Sequence, residues 1–190
     1  MTKTWIAALA FALLAAPAGA EEKAVKEKTS AVESVARFSA PAGWIVERRE
    51  GDDPSVRISR SGRIIMIRLF GGEGSDYAQP VDYLAGPGAS TMGRPPEKDK
   101  PATVAGVKTR LYRRGYPVRL GDPHRRGAGP PELAREMFCV VPAGRRFLVL
   151  SYADENPMPD ASGEGEKAWR AFLQSFQLKR GAGPGKKAGP

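Results

Sequence analysis

The sequence predicts an α+β fold, in which an antiparallel sheet of about five to seven strands packs against a short middle helix and a long C-terminal helix. Three observations predict it. Several segments alternate between apolar and polar residues, which is the period of a half-buried strand. Most connections between these segments are short, and short connections join antiparallel neighbours. One late segment instead places its apolar residues at helical spacing.

The first predicted elements lie between residues 35 and 70. Val35–Phe38 is expected to form a short strand and Trp44–Glu50 a second one. Ser55–Arg60 alternates, and the Ser61-Gly62 pair after it predicts a tight turn. Arg63–Phe70 is apolar on both faces, which predicts a central strand that is covered on both sides.

The middle of the chain is rich in glycine and proline. Pro80–Ala85 begins with a proline that suits a first helical turn. Gly86–Pro101 contains too many glycines and prolines to hold a long element, whereas Val107–Arg114 alternates as a strand. Gly115–Pro131 contains eight glycines and prolines, which predicts a long loop that is functional or mobile.

The C-terminal part gives the strongest predictions. Arg135–Val141 and Phe147–Tyr152 flank Pro142-Ala-Gly144 and are expected to form a hairpin. Gly163–Leu178 is the best candidate for a helix, because one apolar stripe runs along it. This stripe consists of Ala168, Trp169, Phe172, Leu173 and Phe176.

The 190 residues, 41% of them hydrophobic, fit one folded domain with terminal extensions. We expect a signal peptide over residues 1–20, a flexible charged lead over 21–34, a single domain over 35–180 and a disordered tail over 181–190. The lead has few large apolar groups, and the tail is rich in glycine, proline and lysine, so neither supports a core.

The first residues predict export. Lys3 precedes the apolar run Trp5–Ala16, the small-residue exit Pro17–Ala20 and the acidic Glu21, which together are typical of a secretory signal peptide. The apolar run is too short to span a bilayer, which needs about 20 apolar residues. Cleavage near Ala20 leaves 170 of the 190 residues, with no transmembrane segment expected in the mature chain. The expected location is therefore periplasmic or secreted.

The net charge indicates the class of binding partner, and the single cysteine excludes an intramolecular disulfide. The formal net charge is +9, and removal of Lys3 leaves 29 basic and 21 acidic residues. For an exported basic protein we expect an anionic protein or a cell-envelope component as partner, and no nucleic acid. Cys139 is the single cysteine, so no intramolecular disulfide forms, and its place between Phe138 and Val140 predicts a core position.

Five short motifs carry a resemblance to a known family. They are Phe38-Ser-Ala-Pro-Ala-Gly-Trp44, the hairpin around Ser61-Gly62, Pro80-Val-Asp-Tyr-Leu84, Val104-Ala-Gly106 before a strand, and Trp169-x-x-Phe172-Leu173-x-Ser175-Phe176. In this order they resemble the PsbP/DcrB-like family of small exported domains. The resemblance implies an α-β-α sandwich around an antiparallel sheet. Its plant members are accessory subunits of the oxygen-evolving photosystem, and many bacterial members are uncharacterised exported proteins. No functional residue of the family matches a position in this chain, so the resemblance implies none here.

The candidate binding site is a group of arginines. The planar guanidinium group binds carboxylate and phosphate well. If the strand before the long loop and the loop itself share one surface, these arginines form an anion-binding patch; otherwise they are a solvated basic face. The group consists of Arg110, Arg113, Arg114, Arg119, Arg125 and Arg126.

No catalytic or metal site is predicted. His124 is the single histidine, a metal site usually needs three or four convergent ligands, and no G-x-S-x-G motif is present. The sequence therefore predicts an exported, non-catalytic accessory or binding protein without a cofactor. Two alternatives stay open. One is an extracytoplasmic hydrolase of unrecognised type, which needs a pocket lined by perturbed carboxylates. The other is a small-ligand carrier, which needs a cavity between the sheet and the Trp169–Phe176 stripe.

Overall fold

A computed structural model describes residues 30–91, 93–117, 133–156, 162–179 and 181 of the chain. The predicted signal peptide, most of the lead and the tail lie outside these residues, as do His124 and most of the long loop. The described elements are α1 (Ala31–Val35), β1 (Ala36–Arg37), β2 (Ile45–Arg49), β3 (Ser55–Arg60), β4 (Arg63–Phe70), α2 (Pro80–Ala85), β5 (Glu97–Val104), β6 (Val107–Pro117), β7 (Leu133–Ala143), β8 (Arg146–Asp154), α3 (Glu164–Ser175) and β9 (Gln177–Leu178).

Seven of the strands form one antiparallel sheet in the order β2-β3-β4-β8-β7-β6-β5. The predicted α+β class with an antiparallel sheet is confirmed. The predicted bounds of β3, β4 and α2 agree with the structure. Between β3 and β4, Ser61 and Gly62 have φ of 49° and 75°, the conformation of a tight turn that matches the twist of a hairpin.

Helices cover both faces of this sheet. On one face, which we term the α3 face, buried side chains of the sheet pack against α1 and α3. On the opposite face, the α2 face, Phe70, Phe138 and Phe147 pack against Tyr83 of α2. The Phe70 and Tyr83 ring centroids are 5.4 Å apart. These layers give the α-β-α arrangement that the resemblance implies.

Strand β5 was not predicted from the sequence. The expectation that Gly86–Pro101 holds no long element is wrong for its last five residues, which belong to β5. This strand lies at the edge of the sheet, and Val104 is its one buried side chain, so its sequence lacks the apolar alternation of the inner strands. Pro101 is tolerated because an edge strand has one unpaired side and because the ladder is irregular between Lys98 and Pro101.

The first and last described segments pair with each other. Ala36 of β1 lies opposite Leu178 of β9 in a two-stranded antiparallel ladder. The predicted boundary between lead and domain falls inside α1, whose Val32 is fully buried in the core. Helix α3 ends at Ser175 rather than Leu178, because Phe176 adopts an extended conformation and leads into β9.

Candidate anion-binding surface

The positive charge of the described residues is concentrated in one place. Residues 94–114, which contain β5 and most of β6 and which we term the basic hairpin, hold seven basic and two acidic residues. The other described residues hold 13 basic and 13 acidic residues. The net positive charge of the described chain therefore falls within the basic hairpin, whose outer strand β5 forms one edge of the sheet. One of its seven basic side chains, Arg114, is paired in the interior, so six exposed basic and two acidic residues remain. The basic residues are Arg94, Lys98, Lys100, Lys108, Arg110, Arg113 and Arg114.

All of these basic side chains except Arg114 are exposed. The alternation predicted for β6 is confirmed, since Leu111 lies in the core of the α3 face and Tyr112 packs against the core of the α2 face. By the same alternation, the side chains of Arg110 and Arg113 project from opposite faces of the sheet. The two arginines can share a partner only where the sheet ends, at its edge.

Asp99 of β5 is that shared partner. The Nη1 group of Arg110 donates to the main-chain oxygen of Asp99 at 2.7 Å. The Nε and Nη2 atoms of Arg113 each lie 3.1 Å from Oδ2 of the Asp99 carboxylate. The irregular register between Lys98 and Pro101 places Asp99 and Lys100 together opposite Leu111. This bulge allows a single residue to contact both arginines.

Arg114 has a different environment on the α2 face. Its Nε atom forms an ion pair with Glu136 of β7, and its Nη1 group donates to the carbonyl of Gly88 in the segment after α2. The guanidinium carbon lies 5.7 Å from the ring centroid of Phe138. The side chains of Arg114 and Glu136 are 10% and 6% exposed. Arg114 thus fastens the segment after α2 to the sheet, and its charge is matched in the interior.

The predicted group of six arginines is therefore described in part. Arg110 and Arg113 both contact Asp99 at the sheet edge, whereas Arg114 is paired with Glu136 in the interior. Arg119, Arg125 and Arg126 fall outside the described residues, so the single patch stays a prediction.

The acidic partners of these arginines, Asp99 and Glu136, were not predicted from the sequence. Lys98-Asp99-Lys100 looks like a solvated charged run unless β5 is recognised and placed beside β6. Glu136 did leave a signal, because the alternation of β7 puts it on the same face as the buried Phe138 and Val140. An acidic residue on an apolar face requires a cationic partner, since an unpaired buried charge is costly.

The pKa shifts in the described part follow from burial and pairing. Burial raises the pKa of the Cys139 thiol to about 12, and the predicted core position of this residue is confirmed. Burial also raises the pKa of Tyr83, against the opposing effect of the nearby Arg114 and Arg68 charges. The hydrogen bonds from Arg48 are the largest cause of the lowered pKa of Glu33. None of these three groups belongs to the basic hairpin.

Aromatic side chains fill the space between α3 and the sheet. Trp169, Phe172 and Phe176 are each at most 2% exposed. The ring centroids of Trp169 and Phe172 are 5.7 Å apart, and those of Phe172 and Phe176 are 5.9 Å apart. A small-ligand carrier would need a cavity between α3 and the sheet, and these side chains fill that space.

The described residues contain neither a cluster of possible metal ligands nor a helix that could span a membrane. Within residues 30–91, 93–117, 133–156 and 162–179, histidine, cysteine, aspartate and glutamate side chains form no group of three or more that could hold a metal ion. No helix in the same ranges has the length and apolar character needed to cross a membrane.

Comparison with known proteins gives distant structural similarity. No known protein family matches the chain, and no curated protein matches it. Among solved structures, the chain is similar to a crystal structure of LpqN, which is involved in cell envelope biogenesis of Mycobacterium tuberculosis. The sequence identity is 12% and the TM-score 0.35, and the match covers 76% of this chain and 83% of LpqN. At this TM-score the similarity carries no argument, so membership of the PsbP/DcrB-like family stays a prediction.

Proposed function

We propose that this chain is an exported, non-catalytic accessory or binding protein that contacts an anionic partner through the basic hairpin. The concentration of the charge excess in this one exposed hairpin carries the proposal. An evenly mixed surface would give only solubility, whereas a localised excess attracts and orients an anionic partner.

An exported protein can contact the anionic components that lie outside the cytoplasm. The proposal of a periplasmic or secreted location rests on Lys3, the apolar run Trp5–Ala16 and the small residues Pro17–Ala20. In that location the abundant anionic components are phospholipid head groups and other envelope polymers. Nucleic acid is not among them.

The two alternatives have less support. A small-ligand carrier conflicts with the packing of Trp169, Phe172 and Phe176 against the sheet. For a hydrolase, the described part of the chain offers neither a histidine nor a group of possible metal ligands. Its carboxylates Asp99 and Glu136 are engaged by arginines in surface and interior ion pairs.

A charge-reversal experiment tests the proposal. Lys98, Lys108 and Arg110 are replaced together by Glu, and co-sedimentation with an isolated cell-envelope fraction is measured at low and high salt. Each basic residue near an anionic surface contributes about 1 kcal/mol, so three losses predict binding weakened by about a hundredfold or more. High salt should weaken binding of the wild type as well.

A matched control removes the same charge elsewhere. Arg49, Arg145 and Arg146 are exposed and lie outside the basic hairpin, and their replacement by Glu changes the net charge equally. This control should bind the envelope fraction much better than the hairpin variant. Equal binding by the two variants, at whatever strength, would overturn the assignment of the surface.

A further inference from the structure

We infer that Asp99 organises Arg110 and Arg113 into a binding site for the phosphate group of an anionic phospholipid. This inference rests on the proposed function and adds to it a ligand class and a positioning residue. It differs from simple charge attraction, because it assigns a favourable role to a negatively charged residue within the basic hairpin.

The geometry of Asp99 supports this role. One residue offers two different acceptors, its main-chain oxygen to Arg110 at 2.7 Å and its carboxylate to Arg113 at 3.1 Å. Two guanidinium groups bound to one residue repel each other, and the negative charge of that residue offsets part of the repulsion. Side chains fixed before binding lose less conformational entropy when a ligand arrives. Asp99 thus prepares both arginines for one ligand.

The two arginines keep donors for that ligand. A guanidinium group has five N–H donors, and the contacts with Asp99 use one donor of Arg110 and two of Arg113. Arg110 is exposed, and the side chain of Arg113 is 59% exposed. Together with Asp99 the pair keeps one net positive charge. Phosphate oxygens accept from such planar donor groups at favourable geometry.

The sheet edge favours a lipid over an acidic peptide. An extended peptide gains most by adding its backbone to an exposed edge strand. Strand β5 resists this, because Pro101 has no N–H group and the bulge at Asp99 and Lys100 interrupts the ladder. Contact through side chains remains. The exposed Lys98 lies opposite Tyr112, between the two arginines along the strand, and the exposed Lys108 extends the basic surface beyond Arg110. Such an edge fits an array of phospholipid head groups.

The decisive variant is Asp99→Asn, because the two ideas predict opposite signs. If charge alone attracts the lipid, removal of one negative charge tightens binding. If Asp99 positions the arginines, the variant loses the ion pair to Arg113, this side chain must be ordered on binding, and binding weakens by about three- to tenfold. The readout is co-sedimentation with vesicles of phosphatidylcholine with and without phosphatidylglycerol. Asp76→Asn is the matched control, since Asp76 is exposed outside the hairpin and its side chain has no hydrogen bond or ion pair within the described residues.

A second variant keeps the test valid if Asp99→Asn is poorly folded. Arg113→Lys retains the charge but loses the planar guanidinium group. If Asp99 and the two arginines form a phosphate site, this variant binds the vesicles more weakly. If charge alone attracts the lipid, its binding is unchanged. Weaker binding by both folded variants supports the site. Tighter binding by Asp99→Asn together with unchanged binding by Arg113→Lys overturns it.

Further arms separate the ligand source and the proposed function. Wild-type protein that binds polyglutamate more tightly than phosphatidylglycerol vesicles would overturn the lipid assignment. Inorganic phosphate that displaces the wild type from vesicles at concentrations where sulfate does not supports recognition of phosphate itself. Wild type that binds the envelope fraction through the hairpin but not these vesicles would leave the proposed function standing and overturn this inference alone.

Discussion

Gly165 gives a stability prediction whose sign is opposite to that expected from helix propensity. It lies in the first turn of α3 and is buried against the sheet. A Cβ atom at this position would lie 1.9 Å from the hydroxyl oxygen of Tyr152 and 2.9 Å from the ring carbon that carries it. It would also lie 3.1 Å from Cδ of Arg63. Since Cβ atoms essentially never approach other atoms within 3.0 Å, α3 or Tyr152 must move.

The magnitude follows from two opposing effects of Gly165→Ala. Alanine is favoured over glycine in a helix interior by about 1 kcal/mol. Overpacking of a well-filled site costs about 1–3 kcal/mol. The steric effect should win, with a net loss of up to about 2 kcal/mol in the free energy of unfolding. For a chain of this size, each kcal/mol lowers the melting temperature by about 2–4 °C.

The assay is urea unfolding of Gly165→Ala, followed by circular dichroism. Ala171→Gly is the control, because Ala171 is exposed in the middle of the same helix and its change should cost about 1 kcal/mol by propensity alone. Tyr152→Phe removes the oxygen of the closest contact, so the double variant should recover part of the loss. A Gly165→Ala protein more stable than the wild type would refute the packing of α3 on β8.

Three further predictions concern ionisable groups. Arg114→Met should lower the free energy of unfolding by about 3–5 kcal/mol, because it leaves the Glu136 carboxylate buried without its partner. In chemical denaturation, the double variant Arg114→Met with Glu136→Met should recover much of this loss. A double variant as unstable as Arg114→Met alone would contradict the prediction. Cys139 should resist a thiol reagent in the folded protein, and because its pKa is raised from about 9 to about 12, the free energy of unfolding should fall as the pH rises above 9, a slope that Cys139→Ala removes. Arg48 lowers the pKa of the Glu33 carboxyl group in the folded protein. The stabilisation by this carboxylate is therefore present above its pKa in the unfolded chain and is lost as the pH falls through its pKa in the folded protein. In unfolding measurements at different pH, the difference in stability between the wild type and Glu33→Gln should shrink over that acid range.

The parts of the fold that were predicted depend on local signals. Strand β4 lies inside the sheet between β3 and β8, and its two faces contribute to the two core clusters. It is therefore apolar on both faces, and this continuous apolar run marks its bounds in the sequence. Pro80 marks the start of α2 for an equally local reason. Strand β1 lies within the predicted strand Val35–Phe38, but its pairing with β9 was not predicted. Strands β5 and β9 escaped prediction because pairing with another segment creates them rather than their own apolar pattern.

The candidate site shows the same division. The arginine-rich composition of β6 is visible in the sequence, and so is the alternation that separates Arg110 from Arg113. Their meeting at Asp99 depends on a bulge in β5, and the pairing of Arg114 with Glu136 depends on the register of β6 against β7. Register between β6 and β7 was not predictable in this way, because residues 118–132 separate the two strands and no two-residue turn fixes their pairing.

The pairing of β1 with β9 has a mechanical consequence. Ala36 faces Leu178, and the chain continues outward from both residues on the same side of the ladder. A force that pulls the two continuing segments apart therefore loads the hydrogen bonds one after another, as in a zipper, rather than all at once in shear. Each such bond contributes only about 1 kcal/mol net. The two-residue ladder and α1, which Val32 anchors in the core, should therefore detach under tension before the seven-stranded sheet does. An optical-trap experiment with one handle before α1 and one after Lys179 would record this as a separate first step.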